Sequence, residues 1–125
     1  MFRNSKSGDR RRHKRFEVED GAFVAQRSQE RKLWQILDIC MGGLAFRYIP
    51  IAQEIIESSK LEIVTSDTLF SLENIPYRSI SECEISEESL SKYSLKRHSV
   101  QFGYLTDDQK SELKYFILNH TVSEL

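Results

Sequence analysis

Two groups of residues in this chain have the chemistry of an anion-binding site. The first is the basic cluster at residues 10–15, Arg-Arg-Arg-His-Lys-Arg, and the second is a turn motif formed by Asp38, Cys40 and Gly43. Guanidinium groups donate paired hydrogen bonds that suit phosphate oxygens and also the O6/N7 edge of guanine. A carboxylate only accepts hydrogen bonds, so it complements the N1 and N2 donors on the other edge of guanine. The two groups together predict a receptor for an anionic guanine nucleotide.

The charge distribution also points to an anionic partner. Of the 18 Lys and Arg residues, seven lie in the first fifteen positions against a single acid, a net charge of +6. Because the whole chain carries −1, the other 110 residues carry −7. A cationic segment joined to an acidic body is the pattern expected of a chain that binds an anion through one end.

The elements that must position these groups are two consecutive strands. Residues 16–20 alternate apolar and acidic, and Gly21 then interrupts before the apolar residues 22–25, which predicts a long strand with a bulge. Residues 33–39 form a second β-rich run, and the two predict a hairpin. The start of the first strand then lies beside the end of the second, which brings the segment with Arg11 and Arg15 to the turn with Asp38 and Gly43. Gly43, just after the second strand, would let a ring or a phosphate approach the backbone closely.

The remainder of the chain predicts more short strands and one helix. Strands are expected at residues 44–48, 61–64, 69–72, 76–85 and 99–105, and their spacing is typical of an antiparallel sandwich or barrel. Residues 50–60 fit either a helical turn or a loop, and residues 86–92 fit a polar loop. Thr106 and Gln109 form a capping-box pattern, which predicts a helix that runs to about Asn119.

At these residues the sequence resembles the PilZ family, bacterial receptors for the second messenger cyclic diguanylate (c-di-GMP). The family signature is Arg-x-x-x-Arg on an N-terminal switch loop followed by Asp/Asn-x-Ser-x-x-Gly, and the late strand at residues 100–103 also fits. The resemblance implies a mainly β fold, a six-stranded antiparallel split β-barrel with a C-terminal α-helix. It also implies a non-enzymatic protein that binds c-di-GMP and passes the signal to an effector protein, which the sequence does not identify.

The resemblance assigns a role to each residue of the two motifs. Arg11 and Arg15 would hold phosphates and guanine edges, with Arg10 and Arg12 as helpers. Asp38 would read a base, and Gly43 would keep the surface open. Cys40 occupies the position of the family serine and would belong to the same site.

Cys40 leaves two functional interpretations open. A thiol is a weaker hydrogen-bonding group than a hydroxyl. The loss of one neutral hydrogen bond costs about 0.5–1.5 kcal/mol, so the affinity for c-di-GMP is expected to be threefold to tenfold lower. If Cys40 instead turns inward, the chain would be a degenerate PilZ-like adaptor that binds protein and no nucleotide. Single-stranded nucleic-acid binding is a further alternative, disfavoured because the positive charge is confined to one segment.

The remaining expectations concern domains, compartment and chemistry. Residues 1–9 are expected to be a flexible tail and residues 10–125 a single domain. No run is apolar enough for a membrane helix and Cys40 and Cys83 match no disulfide framework, so a cytoplasmic protein is predicted. The three histidines have no companions at metal-ligand spacing, and no catalytic set is recognisable. We therefore expect no enzyme activity, no cofactor and no metal.

Overall fold

The structure, a computed structural model, describes residues 13–26, 32–48, 60–67, 69–84 and 95–125. The predicted tail, Arg10, Arg11, Arg12, the predicted loop at 86–92 and nearly all of the segment at 50–60 lie outside these residues. The elements are β1 Phe16–Val18, β2 Ala22–Gln26, β3 Lys32–Cys40, β4 Gly43–Tyr48, β5 Leu61–Thr65, β6 Ser71–Ile75, β7 Tyr77–Glu84, β8 Lys96–Phe102, α1 Asp107–Asn119 and β9 Thr121–Glu124.

The described strands form one antiparallel sheet in the order β6-β5-β2-β3-β4-β8-β7, with β1 paired to both β3 and β9. The two ends of this path, β6 and β7, are consecutive in the chain and separated only by Pro76. One continuous stretch of chain, residues 71–84, therefore forms both edge strands of the sheet, as expected of a barrel. Eight strands of the described residues precede α1, and the predicted mainly β barrel with a C-terminal helix is confirmed.

The predicted hairpin is also confirmed, but its first strand is interrupted rather than simply bulged. Glu17 lies opposite Asp38 and Phe23 lies opposite Gln35, so the first strand contains three more residues than its partner over this interval. The extra residues form a turn that contains Gly21, whose φ of 93° is in the region that favours glycine. As a result, β1 and β2 pair with two separate stretches of β3.

A bulge in β3 changes which side chains face the core. Ile36 pairs with Phe46 and Asp38 pairs with Ala45, so Leu37 is one extra residue on β3. Before the bulge Ile36 is buried in the core, and after it Ile39 is buried there. Since strand side chains alternate, the bulge turns Asp38 to the opposite side, whereas strict alternation from Ile36 would have placed it inside.

The core lies between the sheet and one stripe of α1. Trp34 and Phe46 are buried and stack with ring centroids 5.3 Å apart. The helix contributes Leu113 and Phe116, which are buried. Within the described residues, no helix has the length and apolar character needed to cross a lipid bilayer.

The ends of α1 are defined by specific contacts. The predicted capping box is present: the Gln109 N–H donates to Thr106 Oγ1 and the Thr106 N–H donates to Gln109 Oε1, both at 3.0 Å.

The strand that follows the helix, β9, was not predicted from the sequence. Its sequence, Thr-Val-Ser-Glu, has no buried residue and therefore no core-facing period to recognise.

Gly43 is required by the sheet itself. A Cβ built on Gly43 would lie 2.2 Å from the carbonyl oxygen of Val100, a backbone atom on β8. The glycine therefore permits β4 and β8 to approach each other, which is a different reason from the access to a ligand expected from sequence.

We predict that Gly43→Ala lowers the free energy of unfolding by about 1–3 kcal/mol or more, because the methyl group must displace backbone. Gly42→Ala is the matched control, since its Cβ would meet the exposed His13 ring at 3.1 Å and that side chain can move. Urea denaturation of both variants measures the difference. Equal midpoints would show that the β4–β8 spacing does not depend on Gly43.

Candidate functional site

The site is built around the carboxylate of Asp38. Arg15 Nη2 donates to Asp38 Oδ1 at 2.6 Å, and Arg97 donates to Oδ2 at 2.7 Å and to Oδ1 at 3.3 Å. The Asp38 side chain is only 7% exposed, while the two arginine side chains are 25% and 27% exposed. Two cations thus cover one carboxylate, and the cluster keeps a net charge of +1.

Strand pairing explains why these three side chains meet. β1 pairs with the end of β3, which places Arg15, the residue before β1, next to Asp38. β4 lies between β3 and β8 and pairs with both. Of the predicted meeting of Arg11 and Arg15 with the Asp38 turn, the structure shows the Arg15 part, and Arg11 lies outside the described residues.

The sequence analysis missed Arg97. The predicted strand started at Ser99, three residues after the observed start at Lys96, so Arg97 was left outside the pattern. In the structure the buried residues of β8 are His98, Val100 and Phe102, and Arg97 alternates with them. Extending the same alternation backwards by two residues would have placed Arg97 on the face opposite the core.

The cluster lies in an open cavity of about 550 Å³, within the range of roughly 300–1,000 Å³ usual for small-molecule sites. Its lining includes small or flat surfaces from Gly42, Gly43, Ala45 and Ser99. Ile80, which is 55% exposed, contributes an apolar side chain. The cavity therefore combines cations with a surface of small residues on which a planar ring can lie.

Cys40 lines this cavity rather than the core. It is partly exposed, and its Sγ accepts a hydrogen bond from the Gly42 N–H at 3.3 Å. The thiol thus takes the position of a turn-stabilising hydroxyl. The inward orientation that would have favoured a degenerate adaptor is not observed.

The other predicted site residues divide into two groups. Gly43 lines the cavity together with Asp38, Cys40 and Arg15. Arg10, Arg11 and Arg12 lie outside the described residues, so their place in the site stays a prediction. His13, which was not among the predicted site residues, is exposed and lines the cavity beside Gly42.

Two expectations about other residues can be compared with the structure. Over the part of the chain that the structure describes, no group of His, Cys, Asp and Glu is arranged to hold a metal ion. Cys83 is exposed and Cys40 is a free thiol, so the two are not joined by a disulfide.

Comparisons with known proteins identify the fold. No protein-family model matches the sequence, and no curated protein sequence matches it. The structure is similar to the PilZ domain of YcgR from Escherichia coli, solved with c-di-GMP, with a TM-score of 0.64 and 18% identity over 90% of this chain and 92% of that domain. The fold is that of a PilZ domain.

Longer PilZ proteins match as well. MrkH of K. pneumonia in complex with c-di-GMP gives a TM-score of 0.68 at 19% identity, over 89% of this chain and 51% of MrkH. YcgR in complex with c-di-GMP gives 0.63 at 17% identity, over 87% of this chain and 45% of YcgR. The chain therefore spans about half the length of these proteins, and the likeness establishes a shared PilZ fold.

We predict that Asp38→Asn lowers the free energy of unfolding by about 1.5–3 kcal/mol, the usual contribution of a hydrogen bond to a charged group. The new amide NH₂ would face a guanidinium donor, so at least one charge-assisted bond is lost. Glu73→Gln, which removes the same charge from an exposed position on β6, should change stability by less than about 0.5 kcal/mol. Urea denaturation compares the two, and equal losses would show that Asp38 does not hold the cluster together.

Proposed function

We propose that this protein is a cytoplasmic, non-enzymatic receptor for c-di-GMP. The observation that carries the proposal is the Arg15–Asp38–Arg97 cluster in an open cavity of a PilZ fold. The similar structures of MrkH and YcgR contain c-di-GMP, which makes this nucleotide the first ligand to test.

The charges and shape of the cavity suit such a ligand. C-di-GMP carries two phosphodiester anions and two guanine rings. Each guanidinium has five N–H donors, and Arg15 and Arg97 use only part of them on Asp38. The remaining donors can bind phosphate oxygens or the O6/N7 edge of guanine. A purine ring can lie on the surface formed by Gly43, Ala45 and Ser99.

In this proposal Asp38 has two roles. Its first is to orient the two arginines, since its oxygens accept three N–H bonds from them. Oδ2 accepts only one of these bonds, and a carboxylate has about four lone-pair sites. One site therefore remains for an N1–H or N2–H group of guanine, as expected from the sequence.

The basic cluster at residues 10–12 would complete the site. We propose that Arg10, Arg11 and Arg12 add donors around the phosphates and that the segment changes its arrangement when c-di-GMP binds. The changed surface would then be recognised by an effector protein.

Titration calorimetry with c-di-GMP tests the receptor function directly. We expect saturable heat with the wild-type protein and an affinity at least tenfold lower for Arg15→Ala and for Arg97→Ala, because each loses a charge-assisted bond. Lys110→Ala is the charge-matched control, since this exposed lysine on α1 is not among the cavity residues, and it should bind within twofold of wild type.

Two results would contradict the proposal. One is the absence of binding heat with the folded wild-type protein at micromolar ligand. The other is an equal affinity for Arg15→Ala, Arg97→Ala and Lys110→Ala, which would show that binding does not use the cluster around Asp38.

Cys40→Ser should strengthen c-di-GMP binding by about threefold to tenfold, because a hydroxyl both donates and accepts better than a thiol. The same calorimetric titration measures this gain, and Cys83→Ser on the exposed part of β7 is the control. An unchanged or weaker affinity for Cys40→Ser would exclude Cys40 from the ligand contacts.

A further inference from the structure

The backbone of Arg15 is held by the segment that follows α1. The Leu125 N–H donates to the Arg15 carbonyl oxygen at 2.8 Å, and β9 pairs antiparallel with β1 directly beside it. Arg15 is therefore fixed twice: its side chain by Asp38 and its main chain by Leu125.

β1 depends on β9 for much of its pairing. Only two residues of β1 are in register with β3, whereas all three are in register with β9. Side chains add to this contact, because Ser123 Oγ donates to Glu17 Oε1 at 3.3 Å. The Lys14–Glu124 ion pair at 3.7 Å is exposed and adds little. A three-residue strand has marginal pairing of its own, so β9 has a large share in keeping β1 in place.

The other end of β1 is attached to the same segment. The Glu19 N–H donates to the His120 carbonyl oxygen at 3.0 Å, and His120 Nδ1 lies 2.8 Å from Glu19 Oε2. The His120 ring stacks on Phe116, with centroids 5.1 Å apart, and Phe116 is fully buried. The contacts thus run from the core through His120 and β9 to the main chain of Arg15.

We propose that residues 120–125 are a positioning element for Arg15, and that anion binding at Arg15 is coupled to the docking of this segment. The coupling to c-di-GMP rests on the proposed function. Because coupling between two sites is reciprocal, a docked β9 strengthens ligand binding and bound ligand stabilises the docked β9. The segment then carries the ligand state to a surface away from the cavity.

A matched pair of substitutions at Leu125 isolates the hydrogen bond to Arg15. Leu125→Pro removes the N–H that donates to the Arg15 carbonyl oxygen. Leu125→Ala keeps this N–H and removes only the side chain, which is 63% exposed. We expect c-di-GMP affinity to fall about threefold to tenfold for Leu125→Pro, the effect of one neutral hydrogen bond, and to stay within twofold for Leu125→Ala. Equal affinities for the two variants overturn the proposal.

Hydrogen exchange tests the reciprocal effect. With saturating c-di-GMP, the amides of residues 123–125 should exchange at least threefold more slowly than in the free protein, while those of the first turn of α1 should not change. Unchanged exchange at residues 123–125 in a protein that binds the ligand overturns the coupling.

A ligand-free measurement separates this inference from the proposed function. The NMR resonance of the Arg15 Nε–H should shift or broaden in Leu125→Pro and match wild type in Leu125→Ala, whether or not c-di-GMP binds. If wild type binds no c-di-GMP but this difference is seen, the receptor function fails and the positioning role stands. If the resonance is the same in both variants, the positioning role is wrong.

Discussion

The site depends on one carboxylate that two arginines share. Asp38 is nearly buried, and a buried carboxylate is costly unless opposite charges and hydrogen bonds compensate it. Arg15 and Arg97 supply both, and Asp38 in turn keeps two like charges close together on the protein surface. Neither arginine would stay in this arrangement without the acid between them. A single aspartate therefore holds together the two positive charges that make the cavity suitable for an anion.

The backbone places that aspartate through two irregularities. The bulge at Leu37 turns Asp38 away from the core, and the interruption around Gly21 divides the first strand so that β1 can pair beside Asp38. Bulges are frequent next to functional sites because they redirect a side chain without ending the sheet. In this protein the two irregularities bring Arg15 and Asp38 to a cavity that the regularly paired strands β4 and β8 also line.

Sequence reasoning succeeded where a residue's local pattern decided its place. The hairpin brought Arg15 to Asp38, and Thr106 and Gln109 marked the start of the helix. It did not find Arg97, because a single arginine near the start of a strand does not reveal its partner, which is 59 residues away in the chain. It did not find β9 either, since a strand with no buried side chain is defined by its backbone pairing alone. The reason for Gly43 also emerged only when the opposite strand was in place.

The sequence separations within the site have a consequence for the energetics of the whole domain. Arg15 and Arg97 lie 23 and 59 residues from Asp38, and each comes from a different part of the sheet. The unfolded chain therefore lacks the assembled cluster, and an anion that binds this cavity binds only the native protein. By mass action, occupancy at one hundred times the dissociation constant raises the resistance to denaturation by about 2.7 kcal/mol. The concentration of a ligand that binds this cavity would then set the fraction of the protein that is folded.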